Sequence, residues 1–192
     1  MKTKPFKNQQ HSNQIRIIGG QCRGRKIHFA TGEGLRPTPD SVRERLFNWL
    51  GQDLTGQSVL DLFSGSGALG LEAASRNAAR VMMTDNSRQA VRNLQQNARL
   101  LQLEKVEIAF SDGLCFLERC RENFDVVFLD PPFAWQQWSE LFAHLQDRLN
   151  DNALVYVEAG QLPQLPQWLQ RFREGKAGMS KFELLLYKQA AE

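Results

Sequence analysis

The sequence of 192 residues predicts an α/β fold with a mostly parallel seven-stranded sheet, and three observations predict it. From Ser58 onwards five apolar, strand-like runs (SVLDLF, ARVMMTD, KVEIAFSD, FDVVFLD and ALVYVE) alternate with segments long enough for a helix, the signature of parallel strands joined by crossover helices. The first run opens into a glycine loop and then an apolar helical pattern, VLDLFSGSGALGLEAA. Finally, REGKAG and KFELLLYK leave no room for a helix between them and predict a terminal antiparallel hairpin.

Ahead of these elements, RIIGGQCRGRKIHF places Arg16, Arg23, Arg25 and Lys26 among strand-like apolar residues around glycines, which predicts a basic β-hairpin. RPTPDSVRERLFNWL then predicts a helix with Thr38 as N-cap, Pro39 in the first helical position and Asp40 in the first turn. Val42, Leu46, Trp49 and Leu50 share its apolar face, with Arg43, Glu44 and Arg45 largely off it. The division expected is a flexible basic tail at 1–13, a hairpin-and-helix extension at 14–52 and a main domain at 53–192. QLPQLPQW, residues 161–168, predicts a surface turn.

Charge is uneven along the chain. Residues 1–45 carry ten Lys/Arg against three Asp/Glu, leaving fourteen against eighteen for the rest, so a net +7 precedes a net −4. An ordered basic segment on a mildly acidic body is the pattern of a protein whose one edge meets a polyanion, which makes Arg16, Arg23, Arg25 and Lys26 candidate phosphate contacts. No apolar run is long enough to span a bilayer, and the polar start MKTKPFKNQQ lacks the apolar core of a signal peptide. Cys22, Cys115 and Cys120 form neither a zinc pattern nor a redox pair. A cytoplasmic, metal-free monomer is the expectation.

Gly65, Gly67 and Gly70 formally satisfy the dinucleotide fingerprint, and Asp85 ends the next strand where an acid would meet a ribose, so a nicotinamide cofactor has to be weighed. Asp61 speaks against it. At the carboxyl end of the first strand its charge would repel a pyrophosphate and attract an ammonium and a sulfonium, by several kcal/mol before desolvation at an effective dielectric of about 20. S-adenosylmethionine carries both cations. The glycines then allow close backbone approach, Asp85 takes the ribose hydroxyls, and Asp112, ending KVEIAFSD, meets the adenine amine unless it simply caps the following helix. Gly70 is assigned to tight helix packing. Phe63, Gly67, Asn86 and Gly113, beside these residues in the same loops, complete the expected cofactor set.

In FDVVFLDPPFAW the prolines at 131 and 132 stop a buried strand where Asp130 stands. Asp130, Pro131, Pro132 and Phe133 are the candidate catalytic residues. An exocyclic amine of a nucleobase is a poor nucleophile because its lone pair is delocalised into the ring. The Asp130 carboxylate and the Pro131 carbonyl can accept the two amine hydrogens and turn the lone pair towards a methyl donor, while Phe133 stacks on the base. Local chemistry supports any exocyclic amino nitrogen and selects no base. Trp135 and Trp138 are left as packing residues.

With RIIGGQCRGRKI, RPTPDSVRERLFNWL, VLDLFSGSGALGLEAASRNA, DPPF and EGKAG in place, the chain resembles the RsmD-type bacterial 16S ribosomal RNA (guanine-N2)-methyltransferases from about Ile15 to Tyr187. The resemblance implies a Rossmann-like class I S-adenosylmethionine-dependent methyltransferase. It also implies methylation of a guanine N2 of 16S ribosomal RNA within the small subunit or a late assembly intermediate. By position it assigns Arg36 and Thr38 to a segment closing over cofactor and substrate. The chain departs from the family pattern at Asp85, where many relatives have Glu, and at Ser87, where Asp is common. The alternatives are an adenine-N6 methyltransferase acting on nucleic acid, a non-catalytic RNA-binding assembly factor, and, third, a nicotinamide oxidoreductase.

Overall fold

The computed structural model describes residues 14–29 and 37–188. The expected tail at 1–13 and Arg36 lie outside the described residues. A two-stranded antiparallel hairpin, β1 (Gln14–Arg16) and β2 (Lys26–His28), precedes helix α1 (Asp40–Trp49). The main sheet follows: β3 (Ser58–Asp61), β4 (Arg80–Asp85), β5 (Val106–Phe110), β6 (Phe124–Leu129), β7 (Leu149–Ala159), β8 (Leu169–Ala177) and β9 (Ser180–Tyr187). Its strand order is β5-β4-β3-β6-β7-β9-β8. The first five of these are parallel, and β9 runs antiparallel between β7 and β8, as the short gap between the last two strands predicts.

Crossovers are made by α2 (Gly70–Ser75), α3 (Arg88–Leu101), α4 (Gly113–Arg119) and α5 (Trp138–Leu145). Period-two alternation along buried strands sends side chains to both faces. Val59, Val126, Phe128 and Tyr156 point to the face covered by the hairpin, α1, α2 and α3. Leu60, Val127, Leu129, Val155 and Val157 point to the other, covered by α4 and α5. The chain order reverses between β3 and β6, and ligands of such sheets bind outside the carboxyl ends of the strands at that reversal.

The N-terminal extension shares the core of the main domain. Ile15, Ile17 and Ile27 from the hairpin, and Val42, Leu46 and Phe47 from α1, are buried in one apolar cluster with Val59 and Phe128. Fully buried Glu72 of α2 binds them electrostatically: it accepts from the amides of Ile18 (2.9 Å) and Gly19 (2.7 Å), from Arg43 (3.2 Å) and from Arg76 (2.9 Å). Gly20, at φ 71°, passes so close to α2 that a Cβ there would lie 1.8 Å from the Ser75 carbonyl oxygen.

Two expectations for α1 are corrected. Its N-cap is Pro39, with no side-chain cap, because the Thr38 hydroxyl is engaged elsewhere. Its buried face is Val42, Arg43, Leu46 and Phe47, while Trp49 is only partly buried. Arg43 turns inward because Glu72 lies there to receive it.

Candidate active site

The carboxyl ends of five neighbouring parallel strands carry acids. Asp85 and Asp61 end β4 and β3, Asp130 follows β6 directly, Glu158 is the penultimate residue of β7, and Asp112 stands two residues beyond β5. By strand alternation Asp61, Asp85, Asp130 and Glu158 fall on the face that bears α1 and the hairpin. Among the described residues none of these five acids is in an ion pair.

The glycine loop is organised around two of them. Asp61 is buried and accepts from the Gly70 amide at 2.8 Å, and burial pushes its carboxyl up to about 7, helped by the charge of Asp85. The Asp61 side chain faces the start of α2. A Cβ on Gly70 would lie 2.9 Å from the Asp61 carboxylate and 2.7 Å from the Met83 methyl, so Gly70 serves packing as expected. Asp85 accepts from the amides of Gly65 (2.8 Å) and Ser87 (2.7 Å), tying the loop to the adjacent strand end. Gly65 (φ 47°) and Gly67 (φ 84°) hold left-handed backbone. Asn86 is exposed beside Asp85.

Of the two roles considered for Asp112, the helix cap is formed. One carboxylate oxygen caps α4, accepting from the Leu114 amide at 2.9 Å. Gly113 is buried beneath the Phe63 ring, which a Cβ would meet at 3.2 Å. Phe63 in turn meets Trp135 edge-on, ring centroids 5.3 Å apart, and Trp135 packs on Trp138. The two tryptophans are thus packing residues that brace the loop after Phe133.

At the tetrapeptide, Asp130 accepts from the Thr38 hydroxyl at 3.1 Å across 92 residues of chain. Burial first, then the charge of Glu158, drives the Asp130 carboxyl well above the usual carboxylate range, Thr38 opposing. Pro131 is buried and Pro132 exposed. The Pro132 carbonyl receives the Trp135 amide at 2.8 Å, whereas no donor among the described residues reaches the Pro131 carbonyl. Phe133 is 59% exposed, its ring lying where a Cβ on Gly160 would come within 3.6 Å. An acid, a carbonyl without a donor among the described residues and an exposed ring therefore stand together at the acid-bearing ends of the parallel strands.

Sequence reasoning missed Glu158, which is buried and accepts from Tyr156 (2.7 Å) and Ser180 (2.5 Å). The strand-end position within ALVYVE was its only signal. The basic candidates are all exposed, and two are partly engaged: Arg16 lies 3.7 Å from Asp40, and Arg25 donates to the Leu100 carbonyl at 2.6 Å.

Residues 15–186 match the family described as Conserved hypothetical protein 95. Ribosomal RNA small subunit methyltransferase D of Escherichia coli is 40% identical over 190 residues, covering 96% of this chain and 95% of the relative. The protein of that name from Haemophilus influenzae is 39% identical, covering 81% and 83%. The solved structure of yhhF from Escherichia coli superposes with a TM-score of 0.83 at 41% identity, over 91% of this chain and 98% of that one. An RNA methyltransferase from Salinibacter ruber, solved with S-adenosyl-L-homocysteine, shares the fold at 20% identity and a TM-score of 0.64. The chain belongs to the family described as Conserved hypothetical protein 95, the RsmD-type family that its own motifs resemble.

Proposed function

We propose that this protein transfers the methyl group of S-adenosylmethionine to the exocyclic N2 of a guanine in 16S ribosomal RNA, on the small subunit or a late assembly intermediate. The observation that carries this reading is the tetrapeptide: Asp130 and the Pro131 carbonyl, which meets no donor among the described residues, stand beside exposed Phe133, at the acid-bearing carboxyl ends of the parallel strands. The names of the Escherichia coli and Haemophilus influenzae relatives support the substrate class, and the family resemblance supports guanine N2.

The donor set suits this cofactor. Five acids without an ion-pairing cation among the described residues favour a positively charged ligand and disfavour a pyrophosphate. Bound here, S-adenosylmethionine supplies a methyl group on a cationic sulfur. Gly65 and Gly67 would admit it close to the backbone, Asp85 and Asn86 would hold ribose hydroxyls, and the second oxygen of Asp112 would meet the adenine amine beside Phe63 and Gly113. Asp61 shapes the loop through its bond to the Gly70 amide. Arg36 is kept as a candidate closing residue. Thr38, first assigned to the cofactor, fits better as the group that orients Asp130.

On the substrate side, Asp130 and the Pro131 carbonyl accept the two amine hydrogens and Phe133 stacks on the base, which localises the nitrogen lone pair for in-line attack. The methylated amine then sheds a proton readily, so Asp130 acts chiefly by orientation. Residues 14–52 form the RNA-facing extension and 53–192 the transfer domain, with Arg16, Arg23, Arg25 and Lys26 tracking phosphates.

Asp130→Ala tests the assignment. The variant should bind S-adenosylmethionine as the wild type does yet lose roughly 10²- to 10⁴-fold in transfer rate, the range for a positioned proton-handling group. Equal rates would remove Asp130 from the chemistry. Failure of the wild type to bind S-adenosylmethionine would remove the whole reading.

A further inference from the structure

The strand register brings a second carboxylate to the tetrapeptide. Leu129 pairs with Val157 in parallel β6 and β7, so Asp130 and Glu158 leave adjacent strands at the same level and on the same sheet face. Glu158 is 6% exposed and fixed by two hydroxyl donors, Tyr156 from its own strand and Ser180 from β9. Its cross-strand neighbour in β9 is the apolar Phe182.

We propose that Glu158 is a positioning residue acting through Asp130: held level with it on the adjacent strand, Glu158 disfavours a second negative charge there in the ligand-free protein, and a cationic ligand at the strand ends relieves that effect. Asp130 thereby becomes a full acceptor for the amine only when the methyl donor is in place. The inference rests on the function proposed above but concerns this chain's own groups.

The surroundings agree. Glu158 follows burial as the second influence raising Asp130, and Asp61, at the end of β3, pushes the same way. Thr38, ahead of α1, opposes them with one hydrogen bond. Tyr156 keeps its proton, because burial and the Glu158 charge both raise it, and so remains a donor. Lys181, next to Ser180 in β9, is exposed and ion-paired to neither carboxylate among the described residues. Removing a neighbouring carboxylate changes the proton affinity of the acid beside it.

Carbon-13 titration of the side-chain carboxyls in the ligand-free protein, with Asp130→Asn to assign the signal, reads this directly. Asp130 should titrate above the ordinary aspartate range and move to lower pH in Glu158→Gln. The acid limb of transfer activity should move the same way. Ser180→Ala, a partly exposed site that tests the case even if Glu158→Gln does not fold, weakens the hold on Glu158 and should shift Asp130 in that direction by less. An Asp130 titration unchanged in every folded variant overturns the proposal. A shifted titration in a protein that transfers no methyl group upholds it and sinks only the proposed function.

Discussion

Asp61 shows how a side chain expected to meet a ligand does its first work inside the protein. Its carboxylate holds the Gly70 amide, and the surrounding burial raises it from 3.8 to about 7. In that interval the folded chain retains a proton that an unfolded aspartate has already lost. The folded state thus binds more protons, and its stability falls as pH rises from about 4 to about 7. Asp125, lowered by its Ser58 and Asn150 hydrogen bonds despite burial, acts oppositely and below that window, its contribution being lost as pH falls. The thermal midpoint of ligand-free Asp61→Asn should therefore depend less on pH between 4 and 7 than that of the wild type. Parallel curves would contradict the raised value.

At the scale of elements, the decisive contact is Glu72 of α2, which joins the hairpin backbone, Arg43 of α1 and Arg76. Placing α1 places Thr38, whose hydroxyl reaches Asp130. Removing one partner of a buried ion pair leaves the other uncompensated, at about 3–5 kcal/mol. Glu72→Gln should lower unfolding stability on that scale, read by urea denaturation. A loss below about 0.5 kcal/mol, typical of surface changes, would mean the network is dispensable. The sequence leaves this network hidden: Arg43 looks like one of three charges on an exposed helix face, and its partner lies 29 residues away. The strands were legible because each is a short apolar run ending in a breaker or an acid. The hairpin was legible too, though its paired strands are only three residues each. Asp61, Asp85, Asp112 and Asp130 stood out because each closes such a run. Glu158 closes ALVYVE in the same way and offered only that signal; the hydroxyls that hold it, Tyr156 in its own strand and Ser180 in β9, become visible only in the fold.

Across the whole molecule, charge and topology point the same way. The described part of the basic segment, the hairpin and α1, packs on the sheet face that carries Asp130 and Glu158. On the proposed function, a polyanion drawn to that edge would arrive beside the tetrapeptide, and the strand-end acids across the switch point would suit a cationic donor. Among the described residues no helix is long and apolar enough to cross a membrane. The central claim, a nucleobase amine methylated within small-subunit RNA, is tested most directly with labelled S-adenosylmethionine and small subunits purified from cells lacking this protein. After transfer, the RNA is digested to nucleosides. Labelled N2-methylguanosine is the predicted product; labelled methyladenosine would contradict the base, and no label in the RNA would contradict the substrate.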